Sequence, residues 1–193
     1  APLDDLPAHL LWEEVSWAAQ QQGLAGFLHE RLGPQRLAAL PTQARALLEV
    51  ARLETSLNNT LLYQELERWL ERFAVAQIPV IVLKGAALGV LLYGRTDLRP
   101  MTDLDLLVPQ PDFARAAKLL LDSGYVRVVN SAGDILRCEY EFSRTLAAGA
   151  AIEGHSFQHT GFQTDVFPAD MNSQSMGETQ LRIDLHWHLI NSS

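Results

Sequence analysis

The chain has 193 residues, of which 48% are hydrophobic and 20% are charged, as in a packed globular protein. This composition excludes disorder as the default state. The formal net charge of −8 disfavours extended contact with nucleic acid, although a local basic pocket for a nucleotide is compatible with it. The single cysteine, Cys138, excludes an internal disulfide framework and suits a reducing compartment. Because no apolar run approaches the roughly 20 residues of a membrane span and no basic signal-like start precedes one, we expect a cytoplasmic protein without a membrane partner.

Residues 1–77 have the pattern of a helical region. Apolar residues recur at helical spacing, and glycines and a Gly-Pro pair divide the first part into short pieces. Over residues 42–77 the chain has neither proline nor glycine and carries an apolar stripe, which predicts a long helix. Asn58, Asn59 and Thr60 are weak helix formers near its middle, and they predict a break or kink there.

The pattern changes at residue 78 to that of an α/β (α+β) domain, in which short apolar runs alternate with amphipathic helix. The predicted strands are 80–83, 103–108, 125–129, 135–143 and 181–189, and the predicted helices are 86–93 and 112–123. Residues 146–180 are expected to form a long insertion with at most short strands. We therefore predict a small mixed sheet of about five strands with flanking helices. Residues 78–193 would form the catalytic domain, and residues 1–77 would precede it as a helical N-terminal region.

Three aspartates lie on predicted strands in similar surroundings. Asp103 and Asp105 are two residues apart, so both point to the same face of a strand while their leucine neighbours face the core. Asp184 occupies an equivalent position in the last predicted strand. Three carboxylates on one sheet face repel each other unless a cation lies among them, and Mg²⁺ or Mn²⁺ prefers such oxygen ligands. Two such ions would hold both the attacking and the leaving oxygen of a phosphoryl transfer.

A basic glycine turn precedes the aspartate pair. Lys84 and Gly85 lie between a buried strand and a helix, where glycine lets the backbone approach a phosphate. The cations Lys84, Arg95 and Arg99 would then neutralise phosphate oxygens. The turn and its cations predict a nucleotide-binding site beside the carboxylates.

The chain resembles a known family at these residues. Residues 82–108 contain LKGAALGVLLYGRTDLRPMTDLDLLV, and residues 184–187 read DLHW. Together with the Gly-Tyr pair after the predicted helix, these motifs are similar to the uncharacterised nucleotidyltransferases of the polymerase-β superfamily, whose signature is L-K-G…L-Y…R-P-M-x-D-L-D-L-L-V. The similarity covers residues 78–129 and 181–189. It is more specific than either motif alone, because spacing, turn chemistry and flanking residues agree.

The resemblance implies a nucleotidyltransferase-fold sheet, an NTP donor, and Mg²⁺ (or Mn²⁺) bound by Asp103, Asp105 and Asp184. A nucleoside monophosphate would pass from the NTP to an unknown acceptor by a two-metal mechanism. One departure is that the superfamily's Gly-Ser is Gly85-Ala86 here, so a serine contact to phosphate is absent. The resemblance implies that Lys84 compensates for it. The family also implies a further helical part after residue 193, so that this chain would be a fragment or a short form.

The histidines and the carboxylates leave alternatives open. We expect His186 to hydrogen-bond and orient Asp184, since the two share a strand face. A zinc site built from His155, His159, His186 and His188 is the alternative, although no cysteine cluster supports it. A haloacid-dehalogenase-like phosphotransferase also uses a D-x-D pair, but there the pair follows the apolar strand. A catalytically inactive nucleotide-binding module is the third alternative.

Overall fold

A computed structural model describes residues 10–129, 139–147 and 178–188. The helices are α1 (Trp12–Gln21), α2 (Ala25–Ala39), α3 (Thr42–Val75), α4 (Lys84–Leu88) and α5 (Phe113–Asp122), with a π-helical turn at Gly89–Tyr93 and a 3₁₀ turn at Gln110–Asp112. The strands are β1 (Ile81–Val82), β2 (Leu104–Leu107), β3 (Val126–Arg127), β4 (Glu139–Ala147) and β5 (Glu178–His186). The start of the predicted strand 135–143, most of the predicted insertion, and His155 and His159 lie outside the described residues. None of the described helices is both long and apolar enough to cross a membrane.

The N-terminal part is helical, as the sequence pattern predicts. Helix α2 changes direction at Gly33, where φ is +69° and Pro34 follows. The kink predicted in the long helix is wrong, because α3 runs for 34 residues without interruption. The weak helix formers in its middle have other partners. Asn59 directs its side chain to a distant loop, and the Thr60 hydroxyl donates to the Ser56 carbonyl one turn earlier at 2.7 Å.

The five strands form one mixed sheet in the order β1-β2-β5-β4-β3. Strands β2 and β5 are parallel neighbours, whereas β1 with β2, β5 with β4, and β4 with β3 are antiparallel. The prediction that the strands around residues 81, 105 and 184 are adjacent is therefore confirmed. Because β5 enters between β2 and β4, the carboxylate-bearing segments of β2 and β5 share one ladder.

The sheet packs against the second half of α3 and against α5. Alternation along β2 and β5 buries their apolar side chains among those of the two helices: Leu104, Leu106, Ile183, Leu185, Trp69, Phe73, Ala116 and Leu120. A separate apolar cluster joins α1, α2 and the first half of α3. Helix α3 thus contributes to both cores. The boundary between residues 77 and 78 stays a prediction.

A buried carboxylate in α3 joins that helix to the sheet. Glu65 is 1% exposed and accepts hydrogen bonds from Trp69 Nε1 at 2.7 Å and the Tyr125 hydroxyl at 2.8 Å. Arg68 and Arg144 also donate to it, at 2.5 and 3.3 Å. Burial of the Tyr125 hydroxyl, beside the Glu65 carboxylate, raises the pKa of Tyr125. Because an unpaired buried carboxylate is strongly destabilising, these donors are needed where Glu65 is buried between α3 and the sheet.

Candidate active site

Two of the predicted aspartates lie side by side on the parallel strands. Asp105 of β2 is in register with Asp184 of β5. Asp105 is 3% exposed, whereas Asp184 is half-buried. Asp103, also half-buried, lies one residue before the start of β2. The alternation that sends Leu104 and Leu106 into the core places Asp105 on the opposite face.

A buried histidine joins Asp105 to a second carboxylate. His186 Nε2 lies 3.0 Å from Asp105 Oδ1, and Nδ1 of the same ring lies 3.0 Å from Glu139 Oε2. The expectation that His186 bonds Asp184 is corrected, since its two ring nitrogens face Asp105 and Glu139. Asp184 and His186 project from the same face of β5, but the side chain of His186 reaches across to the neighbouring strands. The sequence does not predict Glu139 as a neighbour of the candidate site. Its contact with His186 follows only from the position of Glu139 opposite His186 in the β4–β5 ladder.

Lys84 also binds Asp105. Its Nζ lies 2.5 Å from Asp105 Oδ1, and the Leu83 amide next to it donates to the Asp105 carbonyl at 2.9 Å. Lys84 has a φ of +44°, in the left-handed region that non-glycine residues rarely adopt. Such strain persists only where surrounding contacts hold it, and it is concentrated at functional sites. Here the bonds to Asp105 hold the turn in place.

The two paired aspartates have opposite electrostatic surroundings. Burial is the largest influence on Asp105 and acts against its charge, but hydrogen bonds from His186 and Lys84 outweigh it and lower the pKa of Asp105. Burial raises the pKa of Asp184 to about 6, and the charges of Asp103 and Asp105 add to that effect. The hydrogen bond to Asp105 raises the pKa of Lys84. Asp184 is therefore the carboxylate with uncompensated repulsion, as expected where a cation is to be received.

Arg99 lies against the glycine turn. A Cβ added to Gly85 would lie 2.9 Å from Arg99 Nη1 and 3.2 Å from Met101 Cγ, so a larger residue there would displace the end of the Arg99 side chain. The guanidinium of Arg95 is directed elsewhere: it binds Asp97 at 2.9 and 2.7 Å and also Glu30 of α2. The structure thus brings Arg99 to the Lys84–Gly85 turn, while Arg95 joins its loop to the helical layer.

The loop that carries Arg99 is held by a buried side chain of α3. Asn59 is 1% exposed; its Nδ2 donates to the carbonyls of Thr96 at 2.5 Å and Arg99 at 2.8 Å. Its Oδ1 accepts from the Met101 amide at 3.1 Å. The sequence signal for this contact is an asparagine in the middle of a helix whose other residues favour helix formation. From the sequence alone, that asparagine predicts a kink. It instead fixes the segment that leads into Asp103.

Asp105, Asp184 and His186 form a group that could hold a metal ion. One ligand atom from each lies within 4.8 Å of the others. Two carboxylate oxygens and an imidazole nitrogen suit a divalent cation, so the residues present fit the metal that the sequence motif implies. Asp103 does not belong to this group, although its charge acts on Asp184. The predicted convergence is therefore found for two aspartates, and the metal-ligand role of Asp103 stays a prediction.

A cavity of about 260 Å³ lies away from these carboxylates. Its walls come from α1, α2, α3 and the loop before β2: Gln20, Gly23, Ala25, Gly26, Ala51, Glu54, Thr55, Asn58 and Pro100. It includes none of the predicted site residues. The cavity is therefore a feature of the helical layer and not of the candidate site.

The fold and the site together have the features of one class of protein: an α+β protein whose mixed sheet bears clustered carboxylates beside a basic glycine turn, as in nucleotidyltransferases. The model of a family described as "Uncharacterised nucleotidyltransferase" matches residues 9–193. The chain therefore belongs to this nucleotidyltransferase family, as its motifs predict. A search of curated proteins found no match.

Proposed function

We propose that the protein transfers a nucleoside monophosphate from an NTP to an acceptor, with a divalent cation, Mg²⁺ or Mn²⁺, held by Asp103, Asp105 and Asp184. The observation that carries this proposal is the pair Asp105 and Asp184 on neighbouring parallel strands, with the ammonium of Lys84 on the first of them. Membership of a nucleotidyltransferase family supports the same chemistry. A cation bound there would neutralise the phosphate oxygens and the oxygens that attack and leave.

The chain's own cations would bind and orient the phosphates. Lys84 pairs with Asp105 and is more than half exposed, so its ammonium would pass from the carboxylate to a phosphate oxygen. Arg99 lies over the same turn and adds a planar, permanently charged donor. In the reaction, an acceptor oxygen would bond to the α-phosphorus as the bond to the β-phosphate oxygen breaks. Pyrophosphate would leave, and the acceptor's proton would pass to solvent.

Arg95 is less available than Lys84 or Arg99 to bind a phosphate. Its guanidinium is engaged by Asp97 and Glu30, and these ion pairs would have to break first. We therefore assign the phosphate contacts to Lys84, Gly85 and Arg99, and leave the predicted contact of Arg95 as a prediction. Comparison of Arg99→Gln with Arg95→Gln tests this assignment.

The proposal is tested by incubating the protein with each labelled NTP and Mg²⁺ or Mn²⁺, and by following label transfer and pyrophosphate release. Asp105→Asn and Asp184→Asn should each abolish both signals, and so should Asp103→Asn. Asp122→Asn is the matched control, because that carboxylate lies on α5 and pairs with Lys118 at the surface. Full activity in the Asp105→Asn or Asp184→Asn protein would remove that residue from the site.

Two alternatives predict other results. A haloacid-dehalogenase-like phosphotransferase would form a phosphoryl-aspartate, which acid-quenched mass spectrometry detects. The buried bonds of Asp105 to Lys84 and His186, and the mixed sheet, disfavour this alternative. An inactive nucleotide-binding module would show an NTP-dependent rise in melting temperature without any release of pyrophosphate.

A further inference from the structure

The imidazole of His186 has the surroundings of a metal-ligating histidine. One ring nitrogen faces the carboxylate of Glu139, and the other faces Asp105, which is in register with Asp184. Histidines that bind metals almost always donate their second ring N–H to a carboxylate, a carbonyl or water, which fixes the tautomer and the ring orientation. His186 is also 6% exposed, so its ring is held by packing.

The spacing within the group supports the same role. His186 Nε2 and Asp105 Oδ1 are 3.0 Å apart. Adjacent ligands of an octahedral ion with bonds of about 2.1 Å are separated by about 3.0 Å. One ion could therefore contact both atoms once it replaces the hydrogen bond between them and Lys84 leaves Asp105 Oδ1. The candidate ligand atoms of Asp184, Asp105 and His186 all lie within 4.8 Å of one another.

We propose that His186 is a metal ligand through Nε2, beside Asp105 and Asp184, and that Glu139 fixes its ring by accepting the Nδ1 proton. This inference rests on the proposed metal-dependent function and adds a nitrogen ligand to the carboxylates. Mg²⁺ prefers an all-oxygen set, whereas imidazole favours the later divalent transition metals. The site therefore binds Mn²⁺ and Co²⁺ more tightly than Mg²⁺.

The test is pulsed electron paramagnetic resonance of the full chain loaded with Mn²⁺. A directly bound imidazole gives a ¹⁴N modulation with the isotropic coupling of a coordinated nitrogen, which neither oxygen ligands nor a nearby unbound histidine can give. We expect this modulation in the wild-type protein and its loss in His186→Gln. His188→Gln is the matched control, since His188 is the neighbouring exposed histidine beyond the end of β5, and it should keep the signal.

Titration of free Mn²⁺ measures the contribution of each residue. His186→Gln should weaken Mn²⁺ binding and bring the affinities for Mn²⁺ and Mg²⁺ closer together. Glu139→Gln keeps an acceptor for Nδ1, so the ¹⁴N modulation should persist while affinity falls by about tenfold, the lower end of the range for outer-shell partners. Circular dichroism of each variant checks its fold, and the wild-type spectrum tests the inference without any variant.

The outcomes separate this inference from the proposed function. Mn²⁺ bound without ¹⁴N modulation would overturn the histidine ligand and leave the carboxylate site intact. Modulation that survives in His186→Gln would also overturn it, because the nitrogen would come from another residue. Failure to bind Mn²⁺ or Mg²⁺, with or without NTP, would overturn the proposed function together with this inference.

Discussion

Substitution of Asn59 should loosen the loop that carries Arg99. The side chain makes three hydrogen bonds to the backbone of that loop, all from a position that is 1% exposed. At about 1 kcal/mol each, their loss in Asn59→Ala should lower the free energy of unfolding by about 3 kcal/mol. For a chain of this length, that loss corresponds to a fall in melting temperature of about 6–12 °C.

Two further variants separate the hydrogen bonds from other effects. Asn59→Leu fills the same space but leaves the same backbone groups unpaired, so it should be nearly as unstable as the alanine variant. Asn58→Ala is the matched control, because Asn58 is exposed and makes one bond, from Nδ2 to the Met101 carbonyl at 2.7 Å. We expect that control to lose about 1 kcal/mol or less.

Urea unfolding measures the stabilities, and the Michaelis constant for NTP measures the effect on the site. Because the loop positions Arg99 at the Gly85 turn, Asn59→Ala should raise the Michaelis constant for NTP. An Asn59→Ala protein no less stable than Asn58→Ala would refute the argument that these bonds hold the loop. So would a stable Asn59→Leu protein.

Four other predictions concern the charges of the site. Without metal at pH 8, Asp184→Asn should raise the free energy of unfolding because it removes repulsion between carboxylates. Asp105→Asn should lower the free energy of unfolding because Lys84 loses its partner. Equal shifts of the two variants in urea unfolding would contradict this prediction. Because its surroundings raise the pKa of Asp184 to about 6, above the unfolded value of 3.8, the folded state holds the proton longer. Its contribution to stability is present at low pH and is lost as pH rises from about 4 to about 6. Unfolding measured in EDTA should show this loss, and Asp184→Asn should lack it. Lys84→Met should tighten the binding of metal alone and weaken that of NTP; loss of metal binding in calorimetry would instead make Lys84 part of the fold of the site. Arg99→Gln should raise the Michaelis constant for NTP more than Arg95→Gln, and the reverse order would return the phosphate contact to Arg95.

The order of elements and the faces of the strands were predictable because both depend on periodicity along the chain. The apolar run before Lys84 and the alternation around Asp105 identify strands, and they show which side chains leave the core. The turn was predicted at Lys84 and Gly85, and its left-handed φ falls on Lys84. The sequence of the long helix was interpreted wrongly at Asn59, because helix propensity is a weak preference that a tertiary contact can outweigh.

The sequence by itself determined the family and the strand faces on which Asp105 and Asp184 lie, since these depend on local patterns. Only the tertiary structure decided that β5 lies beside β2 and that His186 contacts Asp105, 81 positions earlier in the chain. The contact of Glu139 with His186 and that of Asn59 with the Arg99 loop arise in the same way, as does the pairing of Arg95 with Glu30. Strand pairing and side-chain partners depend on which distant segments pack together. The periodicity of apolar residues within one segment does not specify the segment with which it pairs.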